Sequence, residues 1–139
     1  MTKIDFHSNV ADKLHYAYRL IRKAYAANCK MTVYHHDMHF LRQLDEALWT
    51  LGKAEFLPHV MIGDALAPAT PIVLAPAKLE QSPQFDLLIN LSTTTPEYFS
   101  SFGRMIEVVS AEPDDKLAGR ERYRYYQQQG YTLSHHVAK

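Results

Sequence analysis

Apolar residues recur along this chain in two alternating periods. Leu14, Ala17, Tyr18, Ile21, Ala24 and Tyr25 fall at helical spacing and predict an amphipathic helix over residues 10–28. Ahead of it, Lys3–His7 reads as a short strand, and Asn9 with Asp12 three residues on reads as the helix cap. Met31–Tyr34 is a β-rich run. Asp37 can cap a second helix, whose stripe is Phe40, Leu41, Leu44, Leu48 and Leu51, with Gly52 as its stop. Phe56–Val60 and Ile72–Ala75 read as extended, separated by a surface loop that holds Gly63, Pro68 and Pro71. Leu87–Leu91 is continuous and apolar, as expected of a strand buried on both faces. Thr95-Pro96-Glu97 opens a short helix ending near Gly103, and Met105–Val109 is another strand. Pro113 begins the last helix, which runs to about Gln129 with Gly130 as its stop; Tyr131–Leu133 adds a short edge strand.

Strands alternating with helices predict one α/β domain over residues 1–139. The expected form is a three-layer, Rossmann-like arrangement with a largely parallel sheet flanked by helices. No internal repeat, low-complexity stretch or linker divides it. Hydrophobic content of 47% with 12% aromatics fits a folded chain. No apolar run approaches the ~20 residues that span a bilayer, so no membrane association is expected. The N-terminus shows no signal-peptide pattern, and the single Cys29 cannot form an intrachain disulfide. Both point to a cytoplasmic chain, with Cys29 a small buried residue.

The fold class invites a nucleotide, but the sequence lacks the glycines that bind one. The turn after the first strand, His7-Ser8-Asn9-Val10-Ala11-Asp12, has no glycine for backbone amides to approach a phosphate, and Asp12 would repel it. No cofactor is therefore expected. The alternative reading is a nucleotide-binding or hydrolytic α/β enzyme. For that there is no Gly-x-Ser-x-Gly, and Ser92, Ser100 and Ser101 have no evident base. His35, His36 and His39 with Asp37 sit at a strand-to-helix junction and could bind zinc, with His135-His136 adding a ligand. No cysteine pair and no His-Glu-x-x-His supports this, and scattered surface histidines are the plainer account. Asp114-Asp115 suit the positive end of the last helix dipole.

Formal net charge is +0, yet Lys116 to Lys139 holds five basic residues and one acidic. Within it, Arg120-Glu121-Arg122-Tyr123-Arg124-Tyr125-Tyr126 packs three arginines and three tyrosines into seven residues. At helical spacing Lys116, Arg120, Tyr123, Arg124 and Gln127 share a face, while Ala118 and Tyr125 are expected to face the sheet. Such a basic, aromatic-edged stripe suits an acidic peptide or a terminal carboxylate. A solvated helix face explains the composition equally well. Direct stacking on single-stranded nucleic acid is a third reading, and the zero net charge argues against it.

The order of blocks narrows these readings. Leu44-Asp45-Glu46-Ala47-Leu48-Trp49, then Phe56-Leu57-Pro58-His59, then Leu87-Leu88-Ile89-Asn90-Leu91 keep their order and rough spacing. Ala118-Gly119-Arg120-Glu121-Arg122-Tyr123 and Gly130-Tyr131-Thr132-Leu133 complete the set. Together they resemble the chi (χ) subunit family of bacterial DNA polymerase III. The loop before Ile72 and the segment Ser110–Leu117 differ in length from that family. The resemblance implies a non-catalytic accessory protein of the replicase, without a bound nucleotide. It implies two partners: the psi (ψ) subunit, which connects to the clamp-loader complex, and the acidic C-terminal tail of single-stranded-DNA-binding protein. DNA is then reached only indirectly. Carried over, Arg120, Tyr123 and Arg124 fall where the family holds the tail, and Trp49 falls on the matching helix. Arg120 and Arg124 would pair with carboxylates while Tyr123 and Trp49 wall an apolar pocket. Phe56 and Leu57 are the expected psi-facing patch.

Overall fold

The computed structural model describes residues 2–50, 57–61, 70–75, 86–96 and 99–138. Its strands are β1 (Lys3–Val10), β2 (Met31–Tyr34), β3 (His59–Met61), β4 (Ile72–Ala75), β5 (Leu87–Asn90), β6 (Arg104–Ser110) and β7 (Leu133–Val137). Its helices are α1 (Lys13–Ala26), α2 (Met38–Thr50) and α3 (Pro113–Gln128). The strands form one sheet in the order β3-β4-β2-β5-β6-β1-β7, and every pairing is parallel. This is the three-layer Rossmann-like α/β fold that the alternation predicts.

Side-chain alternation along the strands sorts the core into two layers. Met31, Val33, Ile72, Leu74, Leu87, Ile89, Ile106 and Val108 pack with Ala17 and Ile21 of α1 and with Leu41, Leu44 and Leu48 of α2. The intervening positions Leu88, Met105 and Val109, with Ile4 and Phe6, pack with Tyr126 of α3 on the opposite face. Thus α1 and α2 cover one face of the sheet and α3 the other. The four residues of β5 are all buried, as expected of the apolar Leu87-Leu88-Ile89 run, and buried Asn90 is satisfied by hydrogen bonds to Thr94 and Glu107.

Local signals are read correctly at some ends and not at others. Asp37 caps α2: its Oδ1 accepts from the His39 amide at 2.9 Å, and its carbonyl accepts from Leu41. Gly130, at φ 85°, ends α3 in the left-handed region. The cap of α1 is Asp12, which accepts from the His15 amide, so the helix starts at Lys13 and not at residue 10. Asn9 instead closes β1 with φ 60°, at the register shift between His7 and Val10. Among the described residues, the helix expected after Pro96 is only a 3₁₀ turn, Phe99–Ser101. The edge strand falls at Leu133–Val137, two residues later than expected, because β1 supplies its whole pairing register. Cys29 is only half-buried. Leu51, Gly52, Gly63 and Pro68 lie outside the described residues. Among those described, no helix is long and apolar enough to cross a membrane.

His35 shows how one of the histidines is used. Its ring stacks on Phe40 with centroids 4.3 Å apart, and its Nδ1 accepts from the Asp37 amide at 2.9 Å. Burial, then the neighbouring His36 and Lys13, pull its pKa down from 6.5 to about 4. Between those values the unfolded chain binds a proton that the folded chain refuses, so stability falls as pH drops from 6.5 towards 4. A His35→Asn variant, whose Oδ1 can stand where the imidazole Nδ1 accepts from the Asp37 amide, should flatten that part of the curve. Urea midpoints measured across the window test this, and an unchanged slope would assign the acid sensitivity to other groups.

Candidate protein-docking site

Helix α3 turns a polar stripe towards the sheet. Its buried residues are Asp115, Gly119, Arg122 and Tyr126, which replaces the expected Ala118 and Tyr125; Tyr125 is 45% exposed. Arg122 is held by Glu107, which lies at 0% exposure in the middle of β6. The Arg122 Nε donates to the two carboxylate oxygens at 3.2 and 3.3 Å, and its Nη1 donates to the Thr93 carbonyl at 2.8 Å. The Tyr126 hydroxyl donates to the same carboxylate at 2.5 Å, and Asn90 Nδ2 does so at 2.8 Å. Burial raises the Glu107 pKa, and Arg122 together with these donors opposes the rise.

A second tie fixes the start of the helix. Asp115 lies 2.8 Å from Lys13 Nζ, on α1, and accepts from the Ser110 amide at 2.7 Å. Burial alone would raise its pKa, but these hydrogen bonds hold it below the ordinary carboxylate value. Asp115 therefore does more than face the helix dipole: it joins helices from the two layers.

With Arg122 facing inward, the adjoining positions are turned to the surface. Lys116, Arg120, Tyr123 and Arg124 line a cleft of about 440 Å³ with Phe6, Ser8, Val109, Gly119 and His135. Phe6 and Val109 are 3% and 4% exposed and form an apolar floor. Tyr123 meets Phe6 edge-on, with centroids 5.0 Å apart. Three cations rim this floor, and no carboxylate is among the described lining residues. The cleft thus joins apolar contact area to charge-assisted donors, as a carboxylate-bearing apolar ligand requires.

Of the residues expected at this cleft, Trp49 lies elsewhere. Trp49 does not wall this cleft: it is on α2, beneath the other face of the sheet, 54% exposed and packed on His59 at 4.7 Å. Its sequence block gave its helix but not its layer. Leu57 is 2% exposed, within the core on the α2 side, and its carbonyl accepts from His59 Nδ1 at 2.6 Å. Phe56 is outside the described residues. His35 and His36 stack ring on ring with centroids 4.7 Å apart, and no group of three or more potential ligands among the described residues could hold a metal. Sequence reasoning missed Glu107 and Asn90. The signal for Glu107 was a lone carboxylate within an apolar strand.

The DNA polymerase III chi subunit (HolC) family model matches residues 1–134. This chain belongs to that family. A chi subunit from Pseudomonas aeruginosa is 32% identical over 141 residues, covering 98% of this chain and 96% of the relative. The Haemophilus influenzae chi subunit is 36% identical over 92 residues, covering 66% of this chain and 64% of the relative. The Escherichia coli chi subunit is 32% identical over 92 residues, with 66% and 63% covered. Membership of the chi family gives the chain an accessory role in DNA replication, in association with the polymerase III holoenzyme.

Proposed function

We propose that this chi-family chain is a non-catalytic cytoplasmic adaptor, a single domain that links the clamp loader to single strands coated by their binding protein. Its α3 cleft takes the acidic C-terminal tail of single-stranded-DNA-binding protein, and a separate surface takes the psi subunit. The observation that carries the tail reading is the convergence of Arg120, Tyr123, Arg124 and Lys116 around one apolar-floored cleft, with no carboxylate among its described lining residues. The arginines pair with tail aspartates and the terminal carboxylate, and Tyr123 over Phe6 receives an apolar terminal side chain. Titration of a tail peptide should show Arg124→Glu binding about tenfold or more weakly than wild type, with affinity falling as salt rises. Equal affinity for the two proteins would sink the assignment.

Trp49 fits the psi surface better than the tail cleft. It is a large exposed aromatic, and it packs on His59, which bonds the Leu57 carbonyl. That makes it continuous with Leu57, the described residue of the expected psi-facing pair. A Trp49→Ala variant should bind psi about tenfold more weakly, because truncating an aromatic anchor typically costs more than 1 kcal/mol. Its affinity for the tail peptide should stay at the wild-type value. The reverse pattern in the two titrations would return Trp49 to the tail site.

A further inference from the structure

Strand β7 ends the sheet, and among the described residues no strand pairs with its outer edge. Its ladder to β1 is parallel: the Ile4 amide donates to the Thr132 carbonyl, and the Ala138 amide donates to the Ser8 carbonyl. In that pattern the main-chain groups of Leu133, His135 and Val137 point away from β1, an open row of donors and acceptors. Side chains alternate across the same strand. His135, opposite Phe6, lines the α3 cleft, and His136, opposite His7, lines a second cleft of about 360 Å³ under α1. That second cleft carries Arg19 and Lys23, one helical turn apart, with Arg19 over the Tyr16 ring and the Tyr16 hydroxyl bonded to His7, and no carboxylate is among its described lining residues. The edge is therefore flanked by cations on both faces.

We infer that β7 accepts an extended acidic segment of a partner as an added strand, whose successive side chains enter the two basic clefts in turn. Main-chain pairing along the edge supplies affinity, and the flanking cations select carboxylates at consecutive positions. A second copy of this chain suits the edge poorly. Pairing two β7 strands would bring the cations of each cleft towards those of the other copy. The α3 half of this surface rests on the tail reading proposed above; the edge and the α1 cleft do not.

The test uses the full chain and a capped synthetic peptide, Thr-Thr-Asp-Asp-Asp-Asp-Thr-Thr, followed by calorimetry at low salt. Removing the α1 cations with Arg19→Gln and Lys23→Gln together should weaken binding about tenfold, as should Arg124→Glu alone. Both α1 positions are on the exposed side of the helix, and glutamine keeps its propensity. N-methylation of alternate peptide amides should abolish binding in one register and leave it within about twofold in the other, since only every second amide faces the edge. If neither register matters, or the α1 double variant binds normally, the edge proposal is overturned while an effect of Arg124→Glu leaves the tail cleft standing. If Arg124→Glu leaves both this peptide and the tail peptide unaffected, the tail reading itself fails. A stable dimer of the free chain would also overturn the proposal, by giving the edge to a second copy.

Discussion

An Arg122→Met variant should lose about 3–5 kcal/mol of unfolding free energy, the usual cost of removing one partner of a buried ion pair. The reason is what it leaves behind. Glu107 is wholly buried on β6, and its nearest cation is the Arg122 guanidinium, whose Nη2 also lies 3.2 Å from Oε1. Without that cation the carboxylate must protonate, draw in water or push α3 away. The Tyr126 hydroxyl and Asn90 would still donate to it, but two neutral hydrogen bonds do not replace a charge. Tyr126→Phe should cost less, about 1–2 kcal/mol, because it removes one donor and keeps the ring packed on Phe6 and Phe99.

The informative measurement is the double variant. Glu107→Met alone strands the guanidinium in the same way, while Glu107→Met with Arg122→Met replaces both charges by apolar volume. Such replacements are often neutral relative to the pair, so the double variant should recover most of the loss. Urea denaturation of all four proteins gives the coupling directly, and simple additivity of the two single losses would count against a mutually dependent pair. The same experiment bears on docking. Tyr123 follows Arg122 in the chain, so a helix that has lost its inward anchor should also present Tyr123 less firmly to a tail peptide.

How far the sequence reveals this molecule depends on whether burial is apolar. In α1 and α2 the buried stripe is hydrophobic, and in β5 and β6 it is so but for Asn90 and Glu107, so periodicity places those elements and their facing. In α3 the inward stripe is Asp115, Gly119, Arg122 and Tyr126, and a hydrophobic period cannot see it. Helical spacing puts Arg120 and Arg124 on the exposed basic face and Arg122 off it, but it does not say that Arg122 is the buried one. The correcting signal lies some fifteen residues away, in Met105-Ile106-Glu107-Val108-Val109: a carboxylate in an otherwise apolar strand demands a buried cation. The cleft was legible as a helix face but not as a cavity. Its floor comes from Phe6 and Val109, and its far wall from Ser8 and His135, which only the parallel register brings together. The placement of Trp49 away from the cleft was hidden for the same reason, since a block of sequence fixes a helix but not which side of the sheet that helix covers.

Gly119→Ala should destabilise the protein by about 1–3 kcal/mol, against the usual direction for this exchange inside a helix. Propensity alone favours alanine by about 1 kcal/mol. The opposing effect is contact: a Cβ on residue 119 would stand 2.9 and 3.0 Å from the two γ-methyl groups of Val109 and 3.5 Å from its Cβ. Val109 has little room to yield. It is 4% exposed, its χ1 is stiff as for any β-branched residue, and it sits on β6, which is paired on both sides by β5 and β1. The helix must therefore lift from the sheet by a few tenths of an ångström, which stretches the Arg122–Glu107 hydrogen bonds one turn further on. Gly119 and Val109 also meet in the floor of the docking cleft, so the added methyl should reduce tail affinity as well as stability. Val109→Ala removes the two clashing methyl groups at the cost of a small cavity. Combined with Gly119→Ala it should be more stable than the sum of the two single changes predicts. A cycle run on urea stability and on tail-peptide affinity checks both consequences. A neutral or stabilising Gly119→Ala would mean that close approach of α3 to β6 is not what sets the position of the docking face.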